Sequence, residues 1–391
     1  MEEVTLVTGI ASKFIAPKLL LCSVIIAFLC CCLLGSLCRR ENLYPDFKRF
    51  HIYLSPISYY YPTSGQLLNL AEQKDQEKIL VIVGGDSVLN CASLPVSKLW
   101  TGLLERELGE KYCVLNFSFQ GGEPFEGGYW AAEALYKKGR KVIYLTDAQP
   151  GICGEPIGTL LAPLFFDFYC RDLLLHDTQR ETYKERCLRD QCNLFDQSFS
   201  ELERAGYLDR FTNARELWQT IGYKYFFTVW SNYAEPQFWR ARSTYRDFAI
   251  ARHWPYPDFV MQELEAVRER LKLVAPSGKT FVAEPKAWSA FDRRVKFIIP
   301  EAMRSRSLVV LPKYNPDLLR LLKPVEFAAD DATYDEASSR WRRAGIKPVI
   351  VGRDYKISDY VDANHFSQSG SEKLAGEMAA QIKELTRELE Y

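Results

Sequence analysis

Three short stretches carry residues whose types and spacing suit acyl-transfer chemistry. The first is Gly84-Gly85-Asp86-Ser87, directly after the apolar, β-branched run Ile79–Val83. A serine on a tight glycine turn at a strand end sits where a nucleophile belongs, because glycines let the backbone bend without a Cβ clash. The second runs from Asn116 through Phe117, Ser118, Phe119 and Gln120 to Gly121 and Gly122. Gly121 can offer its backbone N–H to a developing oxyanion, a role that needs backbone access rather than a side chain. The third is Asp362-Ala363-Asn364-His365, at the entry of a helical pattern near the C-terminus. Placed there, His365 would take the Ser87 proton and Asp362 would hold the imidazole in the right tautomer.

The elements that must position these residues are visible as apolar runs. Ile79–Val83, Tyr112–Phe117, Lys141–Thr146, Ser307–Leu311 and Lys347–Val351 are each five or six residues long, mainly hydrophobic and mostly bounded by Gly or Pro. Such runs read as parallel strands buried on both faces. Between them lie helical patterns at Leu94–Leu108, Phe125–Lys138 and Tyr334–Ala344. The chain ends in an amphipathic helix with Leu374, Met378, Ile382, Leu385 and Leu389 on one face, and Ser369-Gly370-Ser371-Glu372 reads as its capping box. This alternation predicts a doubly wound α/β sheet, whose active groups collect beyond the carboxyl ends of the strands. From about Gly151 to Met303 the alternation stops, and an aromatic, mostly helical stretch reads as a large insertion. Its Trp and Tyr residues read as core more readily than as a sugar platform, as do His176 and His253 as structural residues.

Composition narrows the function class. The chain of 391 residues is 47% hydrophobic and 26% charged, the profile of a packed globular protein. Fifty basic residues balance fifty acidic ones, so no global field draws in nucleic acid, and four histidines make a histidine-rich metal site a poor expectation. Of the eleven cysteines, Cys22, Cys30, Cys31, Cys32 and Cys38 lie in or beside one apolar stretch. Cys91, Cys113, Cys153, Cys170, Cys187 and Cys192 form no CxxC pair and read first as buried free thiols, while their even count leaves disulfides open in an oxidising compartment.

Leu19–Leu37 is nineteen residues without a charge, between Lys18 and Arg39-Arg40. At about 1.5 Å per residue this just crosses a hydrocarbon core of about 30 Å, and it is longer than the core of a cleaved signal peptide. The expected organisation is an N-terminal tail (1–18), a single-pass anchor (19–38), a juxtamembrane connector (39–76) and an α/β domain (77–391) with its insertion at 151–303. Arg39, Arg40, Lys48 and Arg49 outnumber Lys13 and Lys18, so the flanking charges favour a cytoplasmic domain.

Gly-Asp-Ser after the first strand, Asn-x-Ser-x-x-Gly after the second and Asp-x-x-His near the C-terminus resemble three of the motif blocks of the SGNH (GDSL) hydrolase superfamily. The resemblance covers residues 79–150 and 305–385 and leaves out the insertion. It implies a flavodoxin-like three-layer α/β/α fold around a five-stranded parallel sheet. It also implies that Ser87 is the nucleophile and an oxyanion-hole donor, Gly121 a second donor, Asp362 the orienting acid and His365 the base. One block departs: the family usually has Gly-x-Asn-Asp after the third strand, whereas here the chain reads Leu145-Thr146-Asp147-Ala148-Gln149-Pro150. The amide of Gln149 is the candidate substitute for the missing asparagine donor, whose loss typically costs about 10² to 10³ in turnover.

Membrane-tethered members of the superfamily, in teichoic-acid D-alanylation and exopolysaccharide acetylation, are similar in layout and act outside the cytoplasmic membrane beside a multi-spanning acyltransferase. The resemblance therefore implies an extracytoplasmic serine esterase or O-acyltransferase for an acylated surface glycan or lipid, needing no metal or organic cofactor. Two alternatives stand beside it. One is a non-catalytic binding or scaffold partner of a membrane acyltransferase, favoured by the altered third block. The other is a cytoplasm-facing lipid esterase, favoured by the flanking charges.

Overall fold

The computed structural model describes residues 17–40, 48–49, 64–91, 94–119, 124, 128–148, 217, 221, 301–316, 324–362 and 364–391. In chain order these form α1 (Pro17–Arg40), α2 (Ser64–Glu72), β1 (Ile79–Val83), α3 (Ser87–Asn90), α4 (Trp100–Leu108), β2 (Tyr112–Asn116), α5 (Gly128–Lys137), β3 (Val142–Asp147), α6 (Glu301–Arg304), β4 (Ser307–Pro312), α7 (Pro324–Arg343), β5 (Lys347–Val351) and α8 (Gln368–Glu388), with single 3₁₀ turns at Val96–Lys98 and Ile357–Asp359. The five strands make one all-parallel sheet in the order β2-β1-β3-β4-β5, an α/β arrangement.

Period-two alternation sends neighbouring strand residues to opposite faces. Leu80 and Ile82 of β1 join Leu67 and Leu70 of α2, Tyr129 and Leu135 of α5, and Tyr334 and Trp341 of α7 in one core. Ile79, Val81 and Val83 join Val88 and Leu89 of α3, Trp100 and Leu104 of α4, and Leu374, Met378 and Ile382 of α8 in a second. Every residue of β1 to β4 is buried, which is why these strands read as continuous apolar runs rather than alternating ones. Edge strand β5 is only partly covered.

Four local readings differ from the sequence expectation. Pro95 and the extended backbone of Leu99 divide the Leu94–Leu108 pattern into a 3₁₀ turn and α4. Helix α7 begins at Pro324, ten residues before Tyr334, with proline at a first-turn position where its missing N–H costs nothing. The cap of α8 is Ser367, whose Oγ accepts the Gly370 N–H; Ser369 instead donates to Asp359 Oδ1 at 2.7 Å. Part of the stretch read as a connector, α2, packs Leu67, Leu70 and Ala71 into the core.

Arg49, also in that stretch, is fully buried. Its guanidinium donates to the carbonyls of Asn90, Cys91 and Leu94, just past the C-terminal end of α3. A planar five-donor fork suits this cluster of carbonyls, which a helix end leaves without intrahelical partners. The insertion read at 151–303 lies outside the described residues except for Leu217, Ile221 and the start of α6 at Glu301–Met303. Cys91 and Cys113 are buried free thiols. Leu19–Leu37 within α1 is long and apolar enough to cross a membrane, and its side chains are almost all exposed.

Candidate active site

Strand order places the site. The chain leaves β1 for β2 on one side and returns to β3 on the other, so the loops diverge over the carboxyl ends of β1 and β3 and leave a crevice there. Ser87 opens α3 immediately beyond β1. The Asp86 side chain caps this short helix, accepting the Val88 N–H at 2.7 Å, and Gly85 turns the backbone at a φ of +94°. Gly84 is pressed between Tyr144 of β3 and Gly128 of α5 so closely that a Cβ would overlap the tyrosine ring.

The loop after β2 is stitched to this turn. Phe119 N–H donates to the Gly85 carbonyl at 3.1 Å, and Asn90 Nδ2 donates to the Ser118 carbonyl at 2.8 Å. Asn116 Nδ2 donates to the Leu89 carbonyl at 3.1 Å, while its Oδ1 accepts the Ser118 N–H and hydroxyl. Asn116 and Ser118 therefore act as structural ties between the first two strand ends.

His365 has further to travel. Strand β5 is three places from β1, a span of roughly 14 Å at about 4.8 Å per strand, and the segment after β5 must cross β4 and β3. The residues just beyond β4 are its stepping stones. Tyr360 OH donates to the Lys313 carbonyl at 3.1 Å, and Asn315 Nδ2 donates to the Asp362 carbonyl at 2.9 Å. Tyr360 pairs with Phe366 across a tight reversal closed by Val361 N–H to the His365 carbonyl at 2.9 Å. Tyr355, Tyr360 and Phe366 stack as an aromatic cluster beneath it.

At the end of this reach the three polar residues meet. His365 Nε2 lies 2.8 Å from Ser87 Oγ, and His365 Nδ1 lies 3.0 and 2.9 Å from the two oxygens of Asp362. Asp362 Oδ1 also accepts the backbone N–H groups of Asn364 at 3.1 Å and His365 at 2.9 Å. The Asp362 side chain is 4% exposed and the imidazole 15%, so the carboxylate is sheltered while the ring opens toward solvent. With a carboxylate on Nδ1, a neutral ring keeps its proton there and leaves Nε2 as the acceptor facing the serine hydroxyl. This chain can move a proton off Ser87 and stabilise the imidazolium that results.

Ser87, Asp362 and His365 are thus brought together. Gly121 and Gln149 lie outside the described residues. Sequence reasoning did not single out Asn315, read Arg49 only as a flanking charge, and gave no part to Asp147, the last residue of β3. Asp147 is 2% exposed and its Oδ1 accepts the Asp86 N–H at 2.8 Å. Burial first, and then the negative charge of Asp86, push its carboxyl well above the usual carboxylate range. Asn315 and Asp147 carried a usable signal, being polar residues within three positions of a strand's carboxyl end. No known protein-family profile matches the chain, and no curated protein is significantly similar to it in sequence.

Proposed function

We propose that the protein is a membrane-anchored serine esterase or O-acyltransferase of SGNH type, with a flavodoxin-like three-layer domain. The observation that carries this reading is the hydrogen-bonded sequence Ser87 Oγ, His365 Nε2, His365 Nδ1, Asp362. Ser87 Oγ attacks the ester carbonyl and gives its proton to His365 Nε2. The new oxyanion is held by backbone N–H groups, those of Ser87 and Gly121 by resemblance, with the Gln149 amide in the place of the family's asparagine. Collapse breaks the bond to the alcohol, which leaves with the proton from His365. The acyl group then passes from Ser87 to water or to another hydroxyl by the same steps in reverse.

The substrate class follows from the resemblance and the apolar helix together: an acylated surface glycan or lipid near a membrane, with a multi-spanning acyltransferase as partner and the domain on the extracytoplasmic side. One cation in the flanking-charge argument for the cytoplasmic side, Arg49, has a separate structural use, since it binds the end of the nucleophile helix. Covalent labelling of the detergent-solubilised protein by a fluorophosphonate tests the chemistry. Wild type is expected to label, and Ser87→Ala and His365→Ala are both expected to lose labelling. A folded wild type that neither labels nor turns over aryl acetates would favour the non-catalytic binding or scaffold reading.

A further inference from the structure

Two carboxyl groups converge on the turn that presents Ser87. Asp86 is the residue before the nucleophile, and its Oδ1 is committed to the Val88 N–H. Asp147 reaches in from β3, and its Oδ1 takes the Asp86 backbone N–H. The fit is close: a Cβ on Gly85 would overlap Asp147 Oδ1, so only glycine at 85 leaves room for this carboxyl. The other oxygen, Asp147 Oδ2, is buried and accepts no hydrogen bond among the described residues. Among the described residues, Asp147 forms no ion pair with a cation. Adjacent strands place Val310 opposite Asp147 and Val83 opposite Leu145. Asp86 acts on it as an ionisable neighbour, and His365 meets the same turn at Ser87.

A buried carboxylate beside a half-buried one, with one oxygen of the buried group unpaired, carries both a desolvation cost and a repulsion. A single proton removes both, because a neutral acid can donate to the neighbouring carboxylate. We propose that Asp147 is a positioning residue that holds one proton shared with Asp86, and that this acid–carboxylate pair fixes the Gly85-Asp86-Ser87 turn. Burial and the Asp86 charge raise the Asp147 carboxyl in the direction this requires. The sign of the linkage follows. A group whose native pKa is raised contributes stability that is fully present below its unfolded value and is lost as pH rises through the native value. The turn therefore loosens as pH rises above the ordinary carboxylate range.

The proposal rests on the serine reading only for its activity readout. The full chain in detergent, as wild type, Asp147→Asn, Asp86→Asn and Asp147→Ala, would be followed by thermal midpoint and fluorophosphonate labelling rate between about pH 4 and 9. Asparagine at either position supplies an N–H donor in place of the shared proton. Asp147→Asn is thus expected to lose the fall in midpoint with rising pH that the wild type shows, and Asp86→Asn to keep only the part that burial of Asp147 causes. Asp147→Asn is expected to retain the labelling that Asp147→Ala loses by roughly 10²-fold, the scale of a misplaced reacting group. An unchanged fall with rising pH in Asp147→Asn, or a folded Asp147→Asn as impaired as Asp147→Ala, overturns the proposal. If the wild type does not label, the midpoint profiles alone decide it, and the lack of labelling counts against the serine chemistry instead.

Discussion

Asp362 serves two functions with one carboxylate: it holds the imidazole on Nδ1 and closes its own loop through the N–H groups of Asn364 and His365. An asparagine keeps the loop-closing oxygen but offers Nδ1 a donor or a neutral acceptor, which disturbs the tautomer rather than the fold. Asp362→Asn is therefore expected to fold normally and to lose about 10⁴ in kcat on an aryl acetate, the loss such a change brings in a serine triad. Circular dichroism beside the kinetics would separate the two functions, and an asparagine variant within tenfold of wild type would remove Asp362 from the mechanism. Ser87, Asp362 and His365 were legible in the sequence because each follows a recognisable strand end or opens a recognisable helix. Asn315, Arg49 and the contact of Asp147 with Asp86 were not, because each depends on a partner brought close by folding, 47, 41 to 45 and 61 positions away.

Strand β1 and helix α5 meet glycine to glycine, and that contact sets the height of the nucleophile turn. A Cβ on Gly128 would lie 2.6 Å from Gly84 Cα and 2.9 Å from its nitrogen, both backbone atoms that cannot swing aside. Gly128→Ala is expected to cost about 1 to 3 kcal/mol by overpacking and to depress labelling of Ser87 with it. Gly102, exposed in α4 with open space around it, makes the opposite prediction: Gly102→Ala stabilises by about 0.5 to 1 kcal/mol. Denaturant melts of the two variants read both signs in one experiment. The strands were legible nearly to the residue because full burial leaves a continuous apolar signature. Helix α2 was not, since nine residues amid polar and aromatic neighbours carry too few apolar positions to show a period. The cap of α8 was misplaced by two residues because Ser367 and Ser369 both suit a cap by type, and the carboxylate of Asp359 claims the second.

Among the described residues one helix, α1, is long and apolar enough to cross a membrane, and under the proposed anchoring the side on which the α/β domain lies would set which substrates it meets. A reporter fused after Tyr391, at the end of α8, is expected to be active only outside the cytoplasm; cytoplasmic activity alone would turn attention to lipid esters on the inner face. Between Arg40, where the apolar helix ends, and the buried Arg49 there are eight residues, which stretch to about 30 Å at most. The guanidinium at the far end of that short leash grips three carbonyls beside the nucleophile helix, and α2 follows it into the core. A water-soluble fragment cut at the first strand, near residue 77, would thus be a damaged protein rather than a trimmed one, stripped of Arg49 and of the helix that puts Leu67, Leu70 and Ala71 into the core. Silence from such a fragment would say nothing about the chemistry. A fair soluble version begins between Arg40 and Lys48, where the tether can be severed with the grip intact.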